Sequence, residues 1–207
     1  MTVLAGATSR TQRERSDATI ALLIGVAREI FGRDGYAATS LNVVVEEAGV
    51  TKGALYHHFK SKQDLFRAVY EAEGQRLSQL VGRTYRDEAD QWEAFHKGVE
   101  AFLEALLDPW VQRIMLTDAP GALGTQAIWD NLTAGGFIAQ IRRGLDRAAE
   151  AGLISRPPTE ATPHLIYGAV CSAAQVIAHS KDQRASLRDS VASLRLMLDA
   201  LAGRPAA

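Results

Sequence analysis

The chain has 207 residues, 23 Lys/Arg against 24 Asp/Glu for a net charge of −1, and a single cysteine. That length buries a real core, either in one unit or divided into a small and a larger one. One cysteine excludes a disulfide framework, no apolar run reaches the roughly 20 residues of a membrane span, and the charge balance argues against a chain that binds polyanions by bulk charge alone.

Residues 1–15 carry Arg10, Arg13 and Arg15 in a Thr/Ser/Gln-rich lead with nothing to bury. They are read as a flexible basic arm, which either touches a polyanion or is a plain terminus. Met1 to Thr8 has no cationic region ahead of a long apolar stretch, so export is not expected and the chain is placed in the cytoplasm with no membrane partner. Ser16 is the expected N-cap of a first helix with the stripe Ile20, Leu23, Ile24, Ala27, Ile30 and Phe31, ending before Gly35. Leu41, Val44, Val45 and Ala48 repeat at helical spacing up to Gly49, where a left-handed residue would end the helix. Thr51 then caps a helix anchored inward by Leu55 and Phe59. Ser61 and Asp64 make a capping-box-like start, and Leu65, Phe66, Val69, Tyr70 and Leu77 carry a connecting helix over 63–84.

Asp90 and Glu93 open the next helix, striped by Phe95, Val99, Phe102, Leu103, Leu106 and Leu107, and Asp108-Pro109 restarts the chain. Residues 118–124 (D-A-P-G-A-L-G) read as a break. Ile128, Leu132, Phe137, Ile138, Ile141 and Leu145 then mark one long helix to Gly152, weakened at Gly135-Gly136, where each glycine costs about 1 kcal/mol relative to alanine. After Pro157-Pro158, two helices run from about Thr159 or Thr162 to Ser180 and from Gln183 to Ala202. No strand or repeat is visible. The fold expected is all-α, with about nine helices.

The pair of short helices around Gly49 reads as a helix-turn-helix. The face opposite Leu55 and Phe59 offers Lys52, Gly53, Ala54, Tyr56, His57 and His58, a set suited to phosphates and base edges in a major groove. The ordered string Phe31 to Tyr36, Ala38-Thr39-Ser40, Ala48 to Gly53 and Leu55 to Lys62 resembles the DNA-binding domain of TetR-family transcriptional repressors, over about residues 16 to 70. Residues 1–70 hold nine Lys/Arg against seven Asp/Glu and the rest fourteen against seventeen, so the basic excess sits with this string.

The resemblance implies a helix-turn-helix domain over 16–62 and a ligand-binding and dimerisation domain over 85–204. It also implies a homodimer on a palindromic double-stranded DNA operator, in the bacterial cytoplasm and on the nucleoid when bound. Thr39, Thr51, Gly53, Tyr56 and Lys62 are expected at phosphates, Lys52, Ala54, His57 and His58 at bases, and Ser40 as a further DNA contact. Repression relieved by a small apolar or aromatic effector is the expected logic. An activator or a ligand-independent DNA binder of the same fold is the alternative.

The last two helices carry more apolar surface than one bundle flank needs. Gly168, Ser172, Ala173, Val176, Val191, Leu194 and Leu198 are expected in a four-helix interface between two copies, the small residues allowing close approach. Intrachain core is the plainer reading. The middle of the chain concentrates aromatic residues, and Trp92, Phe95, Phe102, Trp110, Met115, Trp129, Phe137, Ile141, Tyr167 and Cys171 are assigned together to an effector cavity. Ordinary core packing competes for each of them singly. Polar contributors are drawn from His96, Gln126, Asn131, Gln140, Arg142, His164, Tyr167 and Gln175.

Glu93, His96 and Glu100 share a helix face but are too few to hold a metal, so no metal or cofactor is expected. Cys171 reads as an inert buried thiol. A small helical-bundle enzyme, with His96 or His164 as base and Cys171 or Ser172 as nucleophile, leaves the Thr39 to Lys62 string unexplained and lacks any phosphate loop or nucleophile elbow.

Overall fold

The computed structural model describes residues 5–134, 136–154 and 157–203, and among them every regular element is helical. In chain order these are α1 (Ala5–Asp34), α2 (Leu41–Glu47), α3 (Lys52–His58), α4 (Lys62–Asp87), α5 (Gln91–Ala105), α6 (Pro109–Gln112), a π-helical turn (Arg113–Asp118), α7 (Ala119–Leu123), α8 (Thr125–Ala134), α9 (Phe137–Glu150), α10 (Thr162–His179) and α11 (Gln183–Ala202). No described helix is long and apolar enough to cross a membrane.

The helix starts follow from side-chain oxygens placed on otherwise unpaired N–H groups. Thr51 accepts from Ala54 N at 3.1 Å, Ser61 from Asp64 N at 3.1 Å, Asp90 from Trp92 N at 2.7 Å and Asp108 from Trp110 N at 2.9 Å. Asp64 answers its own cap by accepting from Lys60 N at 3.0 Å. Gly49, at φ 64°, ends the α2 turn in the left-handed region that a side chain would resist.

Three elements depart from the sequence reading. α1 begins at Ala5 instead of at a Ser16 cap, and it covers most of the expected arm. No proline precedes Pro109 to stop a helix there, and Arg13 and Asp17 sit at the four-residue spacing that supports one. Residues 118–124 continue a helical run up to Gly124, whose φ of 81° ends it. Pro120 has no N–H for the regular ladder, and the chain widens into a π turn just before it. The long helix expected over 128–152 is two helices divided at Gly136. A Cβ there would lie 2.8 Å from Asn131 O and 2.9 Å from Leu132 Cα.

Two cores result. The first gathers Leu23, Ala27, Ile30 and Phe31 of α1, Val44, Leu55, Phe59, and Leu65, Phe66 and Val69 of α4. Phe31 meets Phe66 edge-on with ring centroids 5.0 Å apart. It also includes Ile114, Ala119, Ala122 and Leu123, from well outside the helix-turn-helix segment. The second core is built from Leu77 of α4, Trp92, Phe95, Leu103 and Leu106, Phe137, Ile138 and Leu145 of α9, Ile166, Val170, Ala174 and Ile177 of α10, and Leu194 and Leu198 of α11. α4, about 39 Å long at 1.5 Å per residue, belongs to both.

Candidate nucleic-acid interface and effector cavity

α3 is pinned from one side. Leu55 is fully buried and Phe59 is 6% exposed, which turns Lys52, Gly53, Tyr56 and His57 out to solvent and leaves Ala54 and His58 half-exposed. Tyr56 stands 54% exposed. The His57 and His58 rings meet edge-on at 4.9 Å. Ser40 and Thr51, each exposed, cap α2 and α3.

Two expected phosphate ligands are committed elsewhere. Lys62 Nζ donates to Tyr36 O at 2.8 Å, Thr39 O at 3.0 Å and Ala37 O at 3.2 Å, and it lies 4.5 Å from the centroid of the Tyr36 ring. Its three protons are thereby used on the turn that joins α1 to α2. Thr39 is buried and donates its hydroxyl to Gly35 O at 2.8 Å. Both side chains fix the turn that aims α2 and α3.

The C-terminal half of α1 is fastened along Asp108–Asp118. Glu73, buried on α4, receives Arg28 Nε at 2.5 Å and Arg76 Nη2 at 2.5 Å, and Arg28 Nη2 also lies 3.5 Å from Asp108 Oδ2. The Glu73 carboxylate raises the Arg28 pKa above its ordinary value, against the opposing effect of burial. The Arg28 guanidinium carbon sits 5.8 Å from the centroid of the Trp110 ring. Trp110 packs into the space over Gly32, where an added Cβ would be 2.5 Å from its Cγ. Arg113 Nη1 donates to Arg33 O at 2.6 Å, Tyr36 N donates to Asp118 Oδ2 at 2.8 Å, and Gln63 Nε2 donates to Ala122 O at 2.7 Å. Sequence spacing carried no signal of this joint, whose partners lie 59 to 82 residues apart in its last two hydrogen bonds.

Among the residues assigned to a cavity, Phe95, Phe102, Phe137, Ile141 and Tyr167 come together. With Val81 and Tyr85 of α4, Gly98 and Val99 of α5, Gln140 and Val170, they enclose about 50 Å³. Burial pushes the Tyr85 pKa up to about 12. Val99 reads in sequence as an ordinary stripe position, and Val81 and Tyr85 carry no sequence signal of a lining role. Met115 instead borders a groove of about 560 Å³, which Phe137 also lines, with Tyr70, Ser78 and Asn131 on its walls.

The other assigned residues lie outside this lining. Trp92 is core, stacked on Phe95 at 5.5 Å, with its Nε1 donating to Asp199 Oδ1 at 2.8 Å. Trp110 serves the joint just described, and Trp129 is 49% exposed, stacked on His164 at 5.0 Å. Cys171 lies beside the Tyr167 phenol, and burial pushes its thiol pKa up, away from a reactive thiolate. His96 Nε2 pairs with Asp199 Oδ1 at 2.9 Å and Glu93 with Arg195, so two members of the Glu93, His96, Glu100 face are engaged. No cluster that could hold a metal occurs among the described residues.

On α10, Gly168, Ser172 and Val176 are exposed and Ala173 is half-buried. On α11, Val191 is half-buried, whereas Leu194 and Leu198 are buried in their own chain's core, 5% and 4% exposed, and are removed from the interface set. α11 carries a second apolar stripe, with Leu196, Met197 and Leu201 exposed, alongside Leu165 of α10. That outward stripe was masked in sequence by the more regular inward one.

Residues 23–69 match the family described as bacterial regulatory proteins, tetR family, and residues 92–201, over half of the chain, match the tetracyclin repressor-like C-terminal domain. A crystal structure of a TetR-family transcriptional regulator from Pectobacterium atrosepticum is 33% identical with a TM-score of 0.79, covering 94% of this chain and 99% of that one. The Transposon Tn10 TetC protein of Escherichia coli is 34% identical over 97 residues, 47% of this chain and 49% of TetC. The HTH-type transcriptional regulator AcrR of Shigella flexneri is 35% identical over 72 residues, 35% of this chain and 34% of AcrR. The matched segments thus span about half or less of these curated relatives' length.

Proposed function

The chain belongs to the TetR family of transcriptional regulators, and from that premise we propose that it is a repressor whose dimer holds a palindromic operator and lets go when a small apolar or aromatic molecule enters the C-terminal unit. The exposed face of α3, with Tyr56 and His57 outward over a buried Leu55 and Phe59, is the observation that carries this reading. It supports insertion of Lys52–His58 into a major groove, with Thr51, Gly53 and Tyr56 at phosphates and Lys52, Ala54, His57 and His58 nearer the bases. Residues 85–204 hold the effector and pair two copies through the exposed faces of α10 and α11. A dimer of this kind reads half-sites about 34–36 Å apart, or a multiple of that.

Release follows if the effector favours a domain spacing that the operator does not, because a ligand moves an equilibrium only by its differential affinity for the two states. The joint between α1 and Asp108–Asp118 supplies a mechanical path for such a change. The test is binding of the purified protein to the DNA flanking its own gene, at two salt concentrations and against scrambled competitor. Binding to one palindrome should persist against competitor, and Tyr56→Ala should weaken it at least tenfold by an order-of-magnitude estimate while the dimer stays folded. Equal operator affinity for Tyr56→Ala and wild type refutes the docking.

A further inference from the structure

Gln140 is satisfied at only one end of its amide. Nε2 donates to Ser78 O at 3.0 Å, which fixes the orientation, since turning the amide over would set Oε1 against another carbonyl oxygen. Oε1 is buried and has no hydrogen-bond partner among the described residues, and Gln140 lies on the wall of the cavity and also borders a cleft lined by Arg86, Arg143 and Arg147. A buried acceptor left in this way carries a desolvation cost that nothing in the protein offsets. The other polar groups on the wall are differently placed. The Tyr167 phenol has the Cys171 thiol beside it, and the Tyr85 hydroxyl lies against Gly144, 2.6 Å from where a Cβ would stand. A water in the cavity would have Gln140 and little else, short of the two to four polar partners that hold a buried water.

The cavity is too small for an aromatic ligand as it stands. Its 50 Å³ is about a third of the roughly 150 Å³ apolar cavity that takes benzene. Phe137 lines both this space and the 560 Å³ groove, and directly follows the backbone break at Gly136. Its ring rests edge-on against Phe102 at 4.6 Å. The ring thus stands on the wall that the cavity and the groove share. No charged side chain lines the cavity, so an ion entering it would lose its hydration without finding a counter-charge.

We propose that the effector is an uncharged, largely apolar molecule with one hydrogen-bond donor, a phenol-like hydroxyl or an N–H, which it gives to Gln140 Oε1 after displacing Phe137 from between groove and cavity. This rests on the reading of the C-terminal unit as the effector site. The closing experiment is calorimetric titration of the full-length protein, free of DNA, with para-propylphenol and its methyl ether para-propylanisole. These probes match in shape and differ in the donor. Wild type should bind the phenol about tenfold more tightly than the ether, the ratio one buried neutral hydrogen bond gives. In Gln140→Leu the ratio should fall to about one, whereas Phe137→Ala should tighten both probes and preserve it.

Equal affinities in wild type, a ratio that survives Gln140→Leu, or no binding of either probe overturns the inference. The wild-type ratio needs no variant, so an unstable Gln140→Leu leaves the test decisive. Operator binding separates the two ideas. A donor-selective cavity in a protein with no operator preference retains the ligand class and removes the repressor reading, while a specific operator binder with no donor preference removes the ligand class alone.

Discussion

The same substitution at two positions of α1 should act with opposite sign. Gly25 is exposed, and an alanine Cβ there meets nothing within 4 Å, so Gly25→Ala contributes only the gain in helix propensity, about 0.8–1 kcal/mol. Gly32→Ala has the same propensity gain, but its Cβ would stand 2.5 Å from Trp110 Cγ, 2.7 Å from Trp110 Cβ and 2.9 Å from Cδ2. Those are ring and stem atoms of a packed residue, so α1 and α6 must separate or Trp110 must leave its site. Overpacking of this kind costs about 1–3 kcal/mol, and losing the Arg28 guanidinium from the Trp110 face costs about 0.5–1 more. The net is a loss of about 0.5–3 kcal/mol, and because the propensity gain is common to both, the two variants lie about 1.5–4 kcal/mol apart. For a chain of this length that difference corresponds to about 3–16 °C in Tm. Thermal melts at one fixed protein concentration measure it, because the midpoint of a dimer depends on concentration. If Gly32→Ala melts as high as Gly25→Ala, Trp110 is not seated on Gly32 and the close joint between α1 and α6 is wrong.

Two further expectations test other parts of the molecule. Lys62→Met should destabilise the N-terminal unit by about 2–3 kcal/mol, because three carbonyls lose a charged donor. A variant as stable as wild type but weak on its operator would instead return Lys62 to the phosphates. Asp199 gives a pH signature. Burial acts to raise its pKa, but the hydrogen bonds from Trp92 and His96, with Arg195 nearby, outweigh it and hold the carboxyl below the usual aspartate range. A depressed folded-state pKa means that Asp199 stabilises the fold above its unfolded pKa, near about 4, and that this contribution is lost as pH falls through the lower folded value. Asp199→Ala should therefore be less stable than wild type at neutral pH and approach it below about pH 4. A gap between the two that is constant with pH would contradict the pairing.

The parts of this fold legible in sequence are those set by neighbours along the chain. Thr51, Ser61, Asp90 and Asp108 cap helices three residues or fewer away, and the stripes through Leu23 to Phe31 and Leu55 to Phe59 need only the helical period. Lys62 misled because a lysine beside a helix N-terminus reads as a phosphate ligand, while its acceptors lie 23 to 26 residues upstream. Leu194 and Leu198 misled for a related reason. Periodicity shows that α11 has an apolar stripe but cannot say which of its two stripes faces inward. Gln140 stood among eight polar candidates; two of them, Gln140 and His164, keep a buried atom without a partner, and of these two Gln140 lies on the cavity wall.

Ile114, Ala119, Ala122 and Leu123 complete the N-terminal core although they follow it by a long stretch of chain. The structural unit that presents α3 is therefore discontinuous, and a boundary drawn through α4 does not enclose it. A chimera joined after residue 84 would set four side chains evolved for this core against a foreign one, and its head would open where the π turn and α7 no longer fit. Transplanting operator specificity between relatives calls for exchanging the exposed positions of α3 within an intact chain, or for carrying residues 109–123 along with the head.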